Sequence, residues 1–233
     1  MAFPSALEIV SSLILASSAG ECIQPETTAI NVIPTTNQIQ YDFSKTDAEL
    51  TQVETDTVNP YGPGVDLVTK GLRHEKPHME FKIEFGTQGF ARTASFCAWY
   101  KQIDVNITLS PKIYIAKGYT KGECGKFILE HEKKHVRVDR EVMNKYSRKM
   151  GEAILKTVNA TGPLGPFELS AKENVRQNMT KHIENVINPI VEEMKAEMRV
   201  RQQAVDSKEE YDLGSAICRD LTLENMRAQQ HKH

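Results

Sequence analysis

The chain has 233 residues, 39% of them apolar, 26% charged and 7% aromatic, enough to bury a core in one domain or two small ones. Such a composition excludes intrinsic disorder, collagen-like repetition and a polytopic membrane protein. Net charge is −2, with 6 Lys and Arg against 12 Asp and Glu in the first 100 residues and 23 against 19 in the rest; no basic footprint for nucleic acid is present, and no nucleic-acid partner is expected.

The first feature along the chain is the apolar run from Ile9 to Ala19 (IVSSLILASSA), followed by Gly20. Its length and its small-residue end match a secretory leader, and it is too short to span a bilayer. Glu8 stands where a positive n-region belongs and no Lys or Arg precedes it, so a buried segment is the other reading. Residues 1–19 are taken as a candidate signal peptide and 20–233 as a single domain without an integral membrane segment.

Residues 20–78 are rich in Thr, Pro, Gly and Asn, with strand-like runs at Ala29–Ile33 and Ile39–Phe43. Asn59-Pro60-Tyr61-Gly62-Pro63-Gly64 reads as a loop from its turn chemistry. His74 and His78 have helical spacing, but Pro77 lies between them, so they are expected as surface loop histidines. Met79–Phe85 and Ile103–Leu109 alternate cleanly, each with four apolar side chains on one face, and predict half-buried antiparallel strands. Pro111 and Lys112–Ala116 predict another, read as a sheet edge to which an extended peptide could add.

From about Gly125 the period becomes 3.6. A long helix is predicted from Gly125 to Val158, stopping at the breaker-rich stretch 159–166 (NATGPLGP). Ser170-Ala171-Lys172-Glu173 reads as a capping box opening a helix with Val175, Met179, Ile183, Val186, Ile187, Ile190, Met194 and Met198 on its inward stripe, and with Pro189 as a kink. Ser207-Lys208-Glu209-Glu210 reads as a second capping box, leading to Cys218 and a tail with His231 and His233. Strands first and helices after predict an α+β fold, with an antiparallel sheet in the N-terminal half (29–116) packed against the helices of the C-terminal half (125–230).

Cys22, Cys97, Cys124 and Cys218 are an even number too widely spaced for a CxxC motif, which favours two disulfides in an oxidising compartment, periplasmic or secreted. Four buried free thiols are the alternative. Three pairings are open. The preferred one joins Cys97 to Cys124, worth about 3 kcal/mol in chain entropy, and Cys22 to Cys218.

The chemistry-bearing pattern is His131-Glu132-Lys133-Lys134-His135, an HExxH within the first long helix. With 7 His in the chain, chance would produce it only ~0.02 times. Histidines at i and i+4 share a helix face and can reach one tetrahedral ion, with Glu132 beside it to handle a proton. They lie on the apolar stripe of Ile128, Val142, Met143, Tyr146, Met150 and Ile154, whereas Glu130, Lys133, Lys134, Arg137, Glu141, Lys145 and Arg148 make the other face. Two imidazoles and a carboxylate on an inward stripe need a partner, and a divalent cation supplies one. Asp139 shares the stripe, but its Cα lies about 12 Å along the axis from that of His131; it is assigned to orienting His135. The third ligand is sought in the helix opening at Ser207. Glu210 is preferred, although as the N3 carboxylate it could instead cap the helix. Glu173 and His182 are weaker candidates. Tyr211 could donate to a developing oxyanion or could be a core tyrosine.

With these residues the chain resembles the zincin metallopeptidases, and more closely a group of bacterial exported predicted zinc-dependent peptidases. The similarity covers most of 39–218: Cys97 near Trp99, the strands at Ile103–Leu109 and Lys112–Ala116, Gly122-Glu123-Cys124 before the HExxH, and the late Glu210-Tyr211-Asp212. Only HExxH is specific, and the glycine and third histidine of the metzincin pattern do not follow His135. The resemblance implies a zincin-like fold, His131 and His135 as Zn2+ ligands, Glu132 as general base, and a peptide or protein substrate, in the cell envelope or outside it. Two rival functions are a noncatalytic, disulfide-stapled envelope interaction protein and a zinc hydrolase of non-polypeptide amide bonds.

Overall fold

A computed structural model describes residues 20–74 and 76–218. The candidate leader, Ile9 to Ala19, and the tail with His231 and His233 lie outside these residues. The elements in order are β1 (Ala29–Thr36), β2 (Gln40–Asp42), α1 (Asp47–Thr51), β3 (Gly71–His74), β4 (His78–Phe90), β5 (Ser95–Leu109), β6 (Lys112–Ile115), α2 (Gly122–Thr161), β7 (Leu164–Glu168) and α3 (Lys172–Val205). A further helix, α4, covers 208–218. The architecture is α+β, strands mainly in the N-terminal half and long helices in the C-terminal half. No helix among the described residues is long and apolar enough to cross a membrane.

The chain divides into two compact units. The first comprises residues up to Asn31 with Phe81–Val105 and Met150–Asn188. Its buried residues include Phe96, Trp99, Tyr100 and Ile103 on β5 and Met150, Ile154, Met179 and Ile183 on the helices, on stripes that 2- and 3.6-residue periods mark out. The Tyr100 hydroxyl donates to the Met179 carbonyl at 2.9 Å, satisfying a buried polar group that would otherwise cost about 1–3 kcal/mol. β7 pairs antiparallel with β5 although it begins inside the breaker-rich stretch. The ring of Phe167, 5.8 Å from that of Phe96, supplies the packing that outweighs the local turn chemistry.

The second unit comprises Val32–Glu80, Asn106–Lys149 and the residues from Pro189 on. Its small sheet has the order β2-β6-β3, with β2 parallel to β6 and β3 antiparallel to it. The expected all-antiparallel sheet is therefore corrected to a mixed one. β6 is also no edge: it lies between two partners, so the expectation of peptide addition at Lys112–Ala116 does not hold. Ile113, Ile115, Cys124, Ile128, Val136 and Cys218 form one core cluster; Leu50, Leu72 and Ala116 form another. α1 is opened by a capping box of Thr46 and Glu49.

Both disulfides are formed, but not with the expected partners. Cys22 bonds Cys97, with Cα atoms 5.6 Å apart, and Cys124 bonds Cys218, at 4.8 Å. Each bond thus lies within one unit. Cys97 and Cys124 belong to different units, a partition that widely spaced cysteines do not reveal in sequence.

Candidate metal centre

The long helix carries the HExxH, and the inward stripe lies where its period puts it. Ile128, Val142, Met143, Tyr146, Met150 and Ile154 are buried, together with Glu132 (5% exposed), His135 (7%) and Asp139 (0%). The end of α3 faces this stretch within the second unit. It contributes Gln202 and, one residue past the helix, Asp206, both buried.

His131 Nε2 and His135 Nε2 lie 3.3 Å apart, and each is 3.1 Å from Asp206 Oδ1. Three donors at about 2.0–2.1 Å from a tetrahedral zinc ion would be separated by about 3.3 Å. Asp206 was not singled out in the sequence. Its position follows Gln202 by four residues, one helical turn, and the chain breaks out of α3 just before it, which turns the carboxylate toward the imidazoles. Burial works to raise the Asp206 pKa, but the positive charge that the adjoining His131 and His135 rings can carry, together with the Thr57 side chain, overcomes it and holds the carboxyl well below its usual range.

The outer nitrogens of both rings meet acceptors. His131 Nδ1 is 3.3 Å from Glu210 Oε1, and His135 Nδ1 contacts Gln202 Oε1. A neutral ring that donates through Nδ1 has its lone pair on Nε2, so two lone pairs and a carboxylate oxygen converge on one region. That arrangement calls for a cation between them. The donor set fits zinc on this ground, and these three residues form the group that could hold a metal ion among the described residues. Burial opposes charging of His131, yet Asp206, Glu132 and Glu210 around it raise its pKa; the same field favours any cation there.

Glu210, preferred from sequence as the third ligand, is placed on the far side of His131. It ion-pairs with Lys134, and burial is outweighed by Lys134 and His131, which lower its pKa. Its backbone N–H donates to the Ser207 hydroxyl oxygen at 3.2 Å, so Ser207 caps α4 while the Glu210 carboxylate turns to Lys134 and His131. In the other expected capping box Ser170 instead donates to Glu168. Glu173 and His182 are exposed. His74 and His78 are exposed as expected, but they belong to β3 and β4 rather than a loop.

Asp139 reaches His135 through an intermediary. Its Oδ1 accepts from Gln202 Nε2 at 2.6 Å. Arg73 Nε lies 3.3 Å from its Oδ2, off the line of a hydrogen bond. Burial pushes the Asp139 carboxyl up to about 6 despite Arg73 and Gln202.

Glu132 is held from β3. Its carboxylate accepts from the Arg73 backbone N–H, and burial raises its pKa against the opposing pull of His135 and His131. Gly71 lies so close that a Cβ there would stand 2.6 Å from Glu132 Oε1 and 2.4 Å from Ile128 Cγ2. Tyr211 presents its ring edge-on to His131, centroids 6.2 Å apart; burial, followed by the charges of Asp206 and Glu132, pushes its hydroxyl pKa up. The site opens into a cavity of about 1210 Å³ whose lining includes Asp56, Thr57, Val58, Val68, Gly71 and Phe127 besides the site residues.

No protein-family model, curated protein or solved structure matches the chain.

Proposed function

We propose that this chain is a zinc-dependent metallopeptidase in which His131, His135 and Asp206 hold the metal. The observation that carries the reading is the convergence of three donor atoms within 3.1–3.3 Å of one another beside a buried carboxylate, at the wall of a large cavity. A zinc ion bound there would polarise a scissile carbonyl and lower the pKa of a water toward 7.

The chain's own groups account for the proton. Glu132, desolvated and raised in pKa, is a suitable acceptor for a water proton and a donor to the departing amine. The Tyr211 hydroxyl, kept protonated by its raised pKa, is the donor to a developing oxyanion. Substrate would lie along β3. The bond from Ala116 N to Lys70 O and the register of β3 on β6 direct Lys70, Leu72 and His74 toward β6, so Gly71 and Arg73 turn the other way, and the Arg73 N–H is taken by the Glu132 carboxylate, which sets the proposed base beside the strand. The two disulfides fit an oxidising location, periplasmic or secreted.

The test uses the full chain loaded with zinc and an unstructured polypeptide substrate, with Glu132→Gln as comparison. The parent should cleave and the variant should retain zinc while losing at least about a hundredfold in turnover. Zinc binding without cleavage by the parent would favour the envelope interaction protein, and cleavage of cell-wall amides alone would favour the non-polypeptide hydrolase.

A further inference from the structure

Gln202 is 1% exposed, and every polar atom of its side chain is committed. Its Nε2 donates to the His135 carbonyl at 3.1 Å and to Asp139 Oδ1 at 2.6 Å. The carbonyl, and the carboxylate once ionised, can only accept, so both N–H bonds of the amide are directed at them. The amide oxygen is thereby left against His135 Nδ1, and it too can only accept.

We propose that Gln202 is a positioning residue that locks neutral His135 in the tautomer protonated at Nδ1, keeping the Nε2 lone pair aimed at the metal position. Turning the amide over would set its oxygen against a carbonyl and a carboxylate in a buried place, an arrangement costing more than the lost hydrogen bonds alone. Asp139 secures the amide, and Arg73 lies against Asp139. The order of support therefore runs from β3 through Asp139 and Gln202 to His135. A glutamine in this place orients the ring without adding negative charge, whereas a carboxylate would do both. Because Gln202 and Asp206 stand one helical turn apart, the same chain segment supplies a ligand and the orientation of another.

This inference rests on the metal reading above, but its first readout does not require metal. Long-range proton–nitrogen spectra of the metal-free full chain, taken where the ring is neutral, should show His135 protonated at Nδ1. Gln202→Met should give a tautomer mixture and weaken zinc binding about 10–100-fold in competition with a chromophoric chelator. Gln202→Glu retains the acceptor for Nδ1, and, made together with Asp139→Asn so that an amide rather than a carboxylate meets its second oxygen, should keep the tautomer, with zinc affinity within about threefold of the Asp139→Asn chain. A parent ring protonated at Nε2 overturns the proposal, as does a folded Gln202→Met that keeps both tautomer and affinity. Should Gln202→Met fail to fold, the parent spectrum and the Gln202→Glu, Asp139→Asn chain decide. A parent with the Nδ1 tautomer that takes up no zinc supports the orientation while overturning the metal reading.

Discussion

Replacing Gly71 by alanine adds one methyl group at the point where β3 meets the motif helix. The new Cβ would lie 2.4 Å from Ile128 Cγ2, 2.6 Å from Glu132 Oε1 and 3.1 Å from Glu132 Cγ. Carbon contacts settle near 3.5–4.0 Å, so either β3 or the Glu132 side chain must move by about 1 Å. Overpacking of this kind costs about 1–3 kcal/mol. At 2–4 °C per kcal/mol for a chain of this size, the Tm should fall by about 2–12 °C. Displacing a catalytic carboxylate by about 1 Å costs on the order of a hundredfold in turnover. The methyl meets none of the three metal donors, so zinc affinity should stay within about twofold, by the same contact argument. Thermal unfolding, chelator competition and peptide turnover are measured on one preparation. Parent-like Tm and turnover would refute the close approach of β3 to Glu132. Equal losses of zinc affinity and turnover would show general disruption rather than displacement of the base.

Three further outcomes test the site and its frame. Asp206→Asn should weaken zinc binding at least about a hundredfold, whereas Glu210→Gln, which alters the outer contact of His131 and the Lys134 ion pair, should cost no more than about tenfold; equilibrium dialysis with metal analysis ranks them, and the reverse order would make Glu210 the ligand. Asp139 has a folded pKa raised to about 6 above an unfolded value of about 3.9, so its stabilising contribution is full below about pH 4 and is lost as pH rises through 6. The loss is on the order of 3 kcal/mol, and Asp139→Asn should flatten the urea midpoint between pH 4 and 7; an unchanged slope would contradict the burial argument. Reducing Cys124–Cys218, which spans 94 residues, should remove about 4–5 kcal/mol on the chain-entropy model; a Cys124→Ser, Cys218→Ser chain with the parent's denaturation midpoint would contradict this.

How much of this was legible before the fold was known differs by the range of the interaction. His131, Glu132 and His135 are fixed relative to one another by helix geometry alone, and the stripe they share with Met143 and Met150 is periodic, so both could be read directly. Asp206 could not. It lies 71 residues from His135, just past a helix end, with no motif around it, and the capping signature at Ser207 drew attention to Glu210 instead. That signature was half right, since Ser207 does cap α4. β3 escaped because Gly71-Leu72-Arg73-His74 is short and does not alternate; its strand character comes from pairing with β6. Nothing in the sequence marks Gly71, whose place is set by the Glu132 side chain lying against it. The disulfide partners were illegible for the same reason, because they depend on how distant segments are grouped into units.

The charges around the centre bear on what kind of ion would fit the group that could hold one. Two carboxylates on the outer side of the site have cationic neighbours of their own: Glu210 has Lys134, and Asp139 has Arg73. That leaves Asp206, itself one of the three donors, and Glu132 beside them as the negative groups at the centre, enough to balance a dication if one is bound. Two imidazole nitrogens and one carboxylate oxygen suit zinc and its transition-metal neighbours far better than magnesium or calcium, which seek six or more oxygens. A trivalent ion would leave the low-dielectric site with surplus charge. The pairing of the outer carboxylates is therefore as much a part of the metal reading as the donors themselves.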